Sequence, residues 1–193
     1  LSNLPLHRVN GDIIADGSFF DDRLRVKTWR KKGGVEAYNA PLGALSFNFN
    51  TVTVHVSPGE NLGDRPVVVI DPDIDFVQVT NRAKTVSKSK PSRLIVNRVD
   101  QGGYNEITIS GIISMNHLRE TYHLNITKPA YYAAKVFKKY LRQAGVEVTG
   151  KVRIGSIPEG VNGLLSHMSA PLSLILRGLN KFSNNFVAEQ ILK

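Results

Sequence analysis

The sequence contains no cysteine, and it has only two methionines and one tryptophan among its 193 residues. The absence of cysteine excludes a disulfide framework, a thiolate zinc site and a cysteine nucleophile. No apolar run approaches the roughly 18 residues that a membrane-spanning helix needs. Hydrophobic residues make up 41% and charged residues 21% of the chain, which is typical of a folded protein of one domain or two small ones.

The first residues lack the features of a secretory signal. The segment Leu1–Asn10 has few apolar residues, and Arg8 is its one lysine or arginine, whereas a signal peptide needs a basic start followed by an apolar stretch. We therefore expect the numbering to start inside a longer gene product.

The chain is basic, with 25 lysines and arginines against 16 acidic residues and a net charge of +9. The cations form three clusters: Arg23, Arg25, Lys27, Arg30, Lys31 and Lys32; Arg82, Lys84, Lys88, Lys90 and Arg93; Lys135, Lys138, Lys139 and Arg142. No RNA-binding aromatic signature or zinc-finger spacing accompanies them, so nucleic acid is not an expected partner. A solvated surface is the favoured interpretation, and an anionic polymer or peripheral contact with a membrane surface is the alternative.

Short strands are predicted through the first three quarters of the chain. Residues 51–56 alternate valine with other side chains, the period-two pattern of a half-buried strand. Further strands are predicted at 66–70, 76–80, 93–99, 106–113 and 123–126. Their shortness and close spacing favour antiparallel sheet. Two short segments, 146–148 and 152–154, are predicted to pair with each other around Thr149-Gly150.

Helices are predicted where the hydrophobic period changes. Pro129 is suited to a first helical turn, apolar residues then recur at helical spacing, and Gly145 is a natural C-terminal cap. A second helix is predicted at 171–181, and its apolar side chains are expected to face inward: Leu172, Ile175, Leu176 and Leu179. A third apolar stretch covers 186–192.

No metal site is expected. The five histidines do not have the spacing of a zinc-binding helix. Asp71, Asp73 and Asp75 resemble the start of a calcium loop, but Phe76 and Arg82 occupy positions that require glycine and glutamate. A turn is the favoured interpretation of this segment.

Three Ser-x-Asn tripeptides are present: Ser46-Phe47-Asn48, Ser114-Met115-Asn116 and Ser183-Asn184-Asn185. Each is explained equally well as a turn or a helix cap, where both residue types are common. The third differs in context, because it follows one amphipathic helix and begins another. A hydroxyl and a carboxamide placed there can both project into one cleft, where the hydroxyl can pass a proton and the amide can hold a substrate carbonyl.

Several segments, taken in order, resemble one family. Residues 169–190 around Ser183-Asn184-Asn185 are similar to the second active-site motif of the class C penicillin-binding proteins, the D-alanyl-D-alanine carboxypeptidase/endopeptidase family. The segments Gly11–Phe20 (GDIIADGSFF) and Ala40–Asn48 (APLGALSFN) are similar to two further stretches of that family, and so are 129–145 and 150–152. Collinear matches over nearly the whole chain are far more specific than any one motif.

The resemblance implies an α+β fold and an internal position in the parent protein. Residues 1–50 would belong to a small nested inserted domain, 51–160 to a β-rich inserted accessory domain, and 161–193 to the return into a β-lactamase-like catalytic domain. The family's Lys-Thr-Gly motif is absent from this chain, and its one Ser-x-x-Lys, Ser87-Lys88-Ser89-Lys90, is followed by Pro91. Proline disfavours helical geometry in the preceding residue, so the nucleophile motif is expected upstream of Leu1 and Lys-Thr-Gly downstream of Lys193.

The function implied by the resemblance is serine-type hydrolysis of peptidoglycan stem peptides that end in D-Ala-D-Ala, through an acyl-enzyme that β-lactams also form. Ser183 would relay a proton toward the leaving amine and Asn185 would orient the substrate amide, while 51–154 would carry no catalytic side chain. No cofactor is implied, and the substrate implies an extracytoplasmic location in the periplasm or at the cell surface. Two alternatives remain: a catalytically inactive relative that acts as a cell-wall-binding or scaffold module, and an unrelated basic β-rich binding domain.

Overall fold

The computed structural model describes residues 6–26 and 34–193. Lys27, Arg30, Lys31 and Lys32 of the first basic cluster lie outside these residues. The strands are Arg8–Val9 (β1), Ile13–Ala15 (β2), Thr51–Ser57 (β3), Val67–Asp71 (β4), Val77–Asn81 (β5), Lys84–Val86 (β6), Arg93–Asp100 (β7), Asn105–Ser114 (β8), Glu120–Asn125 (β9), Glu147–Val148 (β10) and Val152–Ile154 (β11), and the helices are Pro129–Gln143 (α1), Leu172–Phe182 (α2) and Asn185–Leu192 (α3).

The predicted α+β class is confirmed, and the strands between 51 and 125 form two sheets. In the first sheet β3 lies between β4 and β9, and both pairings are antiparallel. In the second sheet β8 pairs with β7 in antiparallel fashion. The same β8 pairs with β5 and then β6 in parallel, so the expected antiparallel character holds for only part of this sheet.

The main core lies between these sheets and α1. Val52, Val54 and Val56 of β3 are fully buried, as their alternation predicts. They pack with Ile107 and Ile109 of β8 in one cluster. Helix α1 closes this cluster through two of its buried side chains, Tyr132 and Val136.

Tyr132 also makes a polar connection inside that core. Its hydroxyl donates a hydrogen bond to the Thr51 carbonyl at 2.8 Å, which satisfies a buried polar group. Burial raises the pKa of the Tyr132 phenol well above its ordinary value. The start of β3 is thereby tied to the first turn of α1.

The predicted pairing of 146–148 with 152–154 is wrong. Instead β10 pairs with β1 and β11 pairs with β2, both in parallel and in the same register. Asp12 secures this arrangement, because its Oδ1 accepts a hydrogen bond from the Lys151 amide at 2.7 Å. Strands of two or three residues find partners at the other end of the sequence, a pairing that local pattern cannot reveal.

These pairings join segments on either side of the boundary predicted near residue 50, since β1 and β2 pair with strands that lie beyond residue 145. The boundaries at 50 and 160 themselves stay a prediction.

Helix α2 forms close to its predicted bounds, but the prediction that its apolar side chains face inward is wrong for Leu172 and Leu176, which are exposed, whereas Ile175 and Leu179 are half-buried. No α2 residue is buried by the described part of the chain, and Leu172 is 56% exposed. The apolar stripe is present, and the described residues cover it only in part. Within residues 6–26 and 34–193, no helix has the length and apolar character needed to cross a bilayer.

The basic cluster on α1 lines a groove of about 640 Å³ at the surface. Lys135 pairs with Asp75 at 2.7 Å, and the Lys139 ammonium donates to the Asp73 carbonyl at 2.9 Å. These contacts tie the helix to the turn between β4 and β5, in agreement with the turn interpretation of that acidic segment. Among the described residues, no group of three or more His, Asp and Glu side chains has the arrangement of a metal site.

Candidate active site

The tripeptide Ser183-Asn184-Asn185 forms the junction between two helices. Ser183 terminates α2 in the left-handed region, at φ 49° and ψ 47°, and Asn185 is the first residue of α3. A left-handed conformation at a residue other than glycine costs on the order of 1–3 kcal/mol and is concentrated at functional sites. The predicted position of the motif, between one amphipathic helix and the next, is confirmed.

The middle residue supplies the helix cap. The Asn184 side chain accepts a hydrogen bond from the Val187 amide at 3.2 Å, the interaction expected of an N-cap. In the described residues, no hydrogen bond is made by the Ser183 hydroxyl or the Asn185 carboxamide, and both residues are exposed. Capping therefore accounts for Asn184, and it leaves the two flanking side chains available to a ligand.

The other two Ser-x-Asn tripeptides use their side chains internally. The Ser114 hydroxyl donates to Asn116 Oδ1 at 2.6 Å, and Ser114 is nearly fully buried. The Ser46 hydroxyl donates to the Gly43 carbonyl at 2.7 Å. Both motifs serve local structure, as their alternative interpretation proposed.

Helix α3 is anchored by an apolar contact at its start. Phe186 is 7% exposed and packs with Ala40 and Leu42. Its ring also meets Phe49 edge to face, with centroids 5.9 Å apart, a favourable geometry for two aromatic rings. The segment around residues 40–49 is therefore the seat on which Asn185 and its helix rest.

A polar clamp holds the other end of α3 to the same seat. The Gln190 carboxamide donates to the Gly43 carbonyl at 3.0 Å and accepts from the Gly43 amide at 3.3 Å. It also donates to the Ser46 hydroxyl at 3.2 Å. Asn50, fully buried, donates to that hydroxyl at 3.0 Å and to the Pro41 carbonyl at 2.8 Å. The stretch Ala40–Asn48, which resembles a segment of the family, thus positions the helix that carries Asn185.

A cleft of about 500 Å³ opens beside the tripeptide. One wall is the junction itself, residues 182–186. The opposite wall comes from distant parts of the sequence, and its side chains include Tyr38, Thr53 and His123. Sequence reasoning did not place these three near Ser183, since only the pairing of β3 with β9 and the position of α3 bring them there.

The one Ser-x-x-Lys segment lies elsewhere and has the wrong geometry for a nucleophile motif. It forms a turn after β6, in which the Lys90 amide donates to the Ser87 carbonyl at 3.0 Å. The Ser87 and Ser89 hydroxyls bond each other at 2.8 Å. A turn of this kind does not hold a serine and a lysine one helical turn apart. This agrees with the expectation, based on Pro91, that Lys90 does not adopt helical geometry.

Comparison with known proteins gives one consistent result. The family model described as the D-Ala-D-Ala carboxypeptidase 3 (S13) family matches residues 5–193. A D-alanyl-D-alanine carboxypeptidase of Actinomadura sp. is 30% identical, over 96% of this chain and 36% of its own length. The D-alanyl-D-alanine carboxypeptidase DacB of Haemophilus influenzae is 23% identical, over 100% of this chain and 40% of its own length. The chain therefore spans about two fifths of the length of these relatives.

Solved structures with a similar fold come from the same group of relatives. Penicillin binding protein 4 (dacB) from Haemophilus influenzae superposes with a TM-score of 0.72 at 20% identity, over 95% of this chain and 40% of that protein. A second structure of the same protein, complexed with a β-lactam, superposes with a TM-score of 0.64 over 95% of this chain and 38% of that protein. The resemblance noted in the sequence is confirmed, and the chain belongs to the D-Ala-D-Ala carboxypeptidase 3 (S13) family.

Proposed function

We propose that this chain is part of a serine-type D-Ala-D-Ala carboxypeptidase or endopeptidase that cleaves peptidoglycan stem peptides through an acyl-enzyme. A serine outside these residues attacks the penultimate carbonyl, a neutral lysine acts as its base, and water later releases the acyl group. The β-lactam complex of the Haemophilus influenzae protein supports acylation of the same serine by β-lactams. This activity is assigned to the whole gene product and not to these 193 residues alone.

One observation carries the proposal: Asn184 takes the capping role, so the Ser183 hydroxyl and the Asn185 carboxamide are left facing a cleft. In the proposed mechanism, Ser183 accepts a proton and passes it to the leaving amine. Asn185 donates a hydrogen bond to the substrate carbonyl and orients the peptide. Because D-Ala-D-Ala peptides belong to the cell wall, we place the protein outside the cytoplasm, in the periplasm or at the cell surface.

The test compares two serines in the full gene product. Removing a positioned proton-transfer group slows a reaction by roughly 10²–10⁴, so Ser183→Ala should lower the rates of penicillin acylation and D-alanine release by that factor. Its melting temperature should change little, because no described hydrogen bond is lost. Ser114→Ala is the control: it removes a buried hydrogen bond, so it should lower the melting temperature and leave acylation intact.

Normal turnover in Ser183→Ala would contradict the assignment. Absence of acylation in the unmodified full gene product would instead favour the alternative of a catalytically inactive cell-wall-binding or scaffold module.

A further inference from the structure

The wall opposite Ser183 is built from β3, β9 and the turn Ala37–Asn39. Thr53 on β3 lies directly opposite His123 on β9 in the register of the sheet. Both residues lie on the sheet face turned away from the buried valines, because side chains alternate along a strand. This face therefore presents polar groups to the cleft while the other face fills the core.

His123 is held in a defined orientation. Its Nδ1 and the Thr53 hydroxyl are hydrogen-bonded at 3.2 Å. That bond leaves Nε2 as the ring nitrogen available to a ligand, and no described residue bonds to it. An imidazole fixed in this way can donate or accept one hydrogen bond, depending on its tautomer.

The composition of the cleft indicates which chemistry it would accept. Among the described residues that line it there is no Asp, Glu, Lys or Arg, and they include four aromatic rings and several hydroxyl and amide groups. Tyr38 is 63% exposed and Phe182 is 72% exposed. Burying a charged group without a partner is costly, whereas exposed rings and neutral hydrogen-bonding groups suit an uncharged ligand with apolar and amide surfaces.

We propose that Tyr38, Thr53 and His123 form a binding subsite for an uncharged acylamino group of the substrate, with His123 Nε2 hydrogen-bonding to its amide. Two parts of peptidoglycan supply this chemistry: the backbone of the stem peptide and the acetamido group of the amino sugar that carries it. The inference rests on the proposed function, because it takes the cleft beside Ser183 to be the substrate site. His123 contributes binding here, and no proton transfer is assigned to it.

The first sheet supplies a matched control. His55 lies on β3, and its Nδ1 is hydrogen-bonded to the Thr121 hydroxyl at 3.0 Å, the same kind of interaction that His123 makes with Thr53. The two histidines share a sheet face, but His55 is not among the residues that line the cleft. Replacing either one removes a similar cross-strand hydrogen bond, and only the His123 replacement removes a group from the cleft.

The experiment uses the full gene product and three substrates. These are benzylpenicillin, an N-acylated stem peptide ending in D-Ala-D-Ala, and the same peptide attached to its disaccharide. Losing one hydrogen bond to a neutral ligand costs about five- to tenfold in affinity, so His123→Ala should raise KM by that factor and leave kcat unchanged, as expected for a group that binds substrate and transition state equally. His123→Gln, which keeps a neutral donor and acceptor, should restore part of the loss.

The substrate arms identify the source of the acylamino group. A rise in KM for both peptides assigns the subsite to the peptide backbone, and a rise confined to the disaccharide-linked peptide assigns it to the sugar. Benzylpenicillin itself carries an uncharged acylamino group, so its acylation should slow in the first case and be unchanged in the second. Unchanged KM values for both peptides in His123→Ala, or an equal rise in His55→Ala, would overturn the subsite.

The Ser183→Ala result separates this inference from the proposed function. If Ser183→Ala slows acylation and His123→Ala has no effect, the function stands and the subsite is wrong. If Ser183→Ala turns over normally while His123→Ala still weakens peptide binding, the subsite stands and the proton-relay assignment fails.

Discussion

The clamp that Gln190 makes on the seat of α3 leads to a quantitative prediction. Gln190→Ala removes three hydrogen bonds, two with Gly43 and one with Ser46, of 3.0–3.3 Å. Each hydrogen bond contributes about 0.5–1.5 kcal/mol net, and the partly buried location favours the lower half of that range, which gives about 2 kcal/mol in total. This free energy is lost from the docking of the eight-residue helix α3 alone, because the substitution does not change the Phe186 contacts or the rest of the core.

Amide hydrogen exchange in the full gene product measures this directly. Exchange reports the free energy of local opening, and about 2 kcal/mol corresponds to roughly a 30-fold larger undocked population. Amides in residues 185–192 should therefore exchange about 30-fold faster in Gln190→Ala, while those of β3 and β8 should be unchanged. Acylation should also slow, since an undocked α3 does not hold Asn185 at the cleft.

The control is Gln143→Ala, which removes an exposed glutamine near the end of α1 that makes no hydrogen bond with the described residues. It should leave exchange in α3 as it was. Unchanged exchange in α3 of Gln190→Ala would refute the clamp. Equally accelerated exchange in β3 would refute the claim that docking of α3 is a local event.

Two further predictions concern the scaffold. Gly111→Ala should lower the free energy of unfolding by about 3–5 kcal/mol, because Gly111 has φ 96° and its new Cβ would lie 2.1 Å from the Arg93 carbonyl oxygen. Thermal denaturation tests this prediction, with Gly102→Ala as the control. At Gly102 φ is 78° and no atom lies within 4 Å of the new Cβ, so backbone strain alone should cost about 1–2 kcal/mol. Hydrogen bonding from the Lys151 amide, together with Arg153, lowers the pKa of Asp12, so the stability that Asp12 contributes is present above the ordinary carboxyl pKa and is lost as the pH falls through the folded-state pKa. The melting temperature of Asp12→Asn should accordingly be below that of the unmodified chain near pH 6, and the difference should shrink toward about pH 3; a difference that stays constant with pH would contradict the role of the charge.

Local patterns predicted the elements of the fold well where each element carries its own signal. The alternation of residues 51–56 corresponds to β3, and Pro129 and Gly145 bracket α1. Gly145 has φ 82°, the left-handed conformation that makes glycine the usual C-terminal cap. These signals need no knowledge of the partner strand or helix.

The sequence predicts less well which strands pair with each other, because pairing depends on the whole topology. Strands β10 and β11 contain two and three residues, too few to show a register preference of their own. Their adjacency in sequence favoured a hairpin, whereas the fold gives each a parallel partner near residue 10. The apolar stripe of α2 is present as its sequence predicts, but the described residues cover it only in part.

The candidate site shows the same division. The position of Ser183 and Asn185 at a helix junction followed from the sequence, and the resemblance to a family gave them roles that stay predictions. The assignment of the cap to Asn184 required atomic positions, since all three residues of the tripeptide are good capping residues. The opposite wall could not be predicted, because Tyr38, Thr53 and His123 are far apart in sequence from the tripeptide and from one another.

The parallel pairing of β1 and β2 with β10 and β11 also sets the order in which this chain can be completed during synthesis. Asp12 and Lys151, which bond across it, are 139 residues apart. At about 5–20 residues added by the ribosome per second, the first two strands therefore wait roughly 7–28 s for their partners to be made, while the sheets of residues 51–125 already have all their strands. The seam can form only after residue 154 has been made, so it is expected to form after the sheets of residues 51–125, and until then the unpaired edges of the first two strands are open to pairing with another strand.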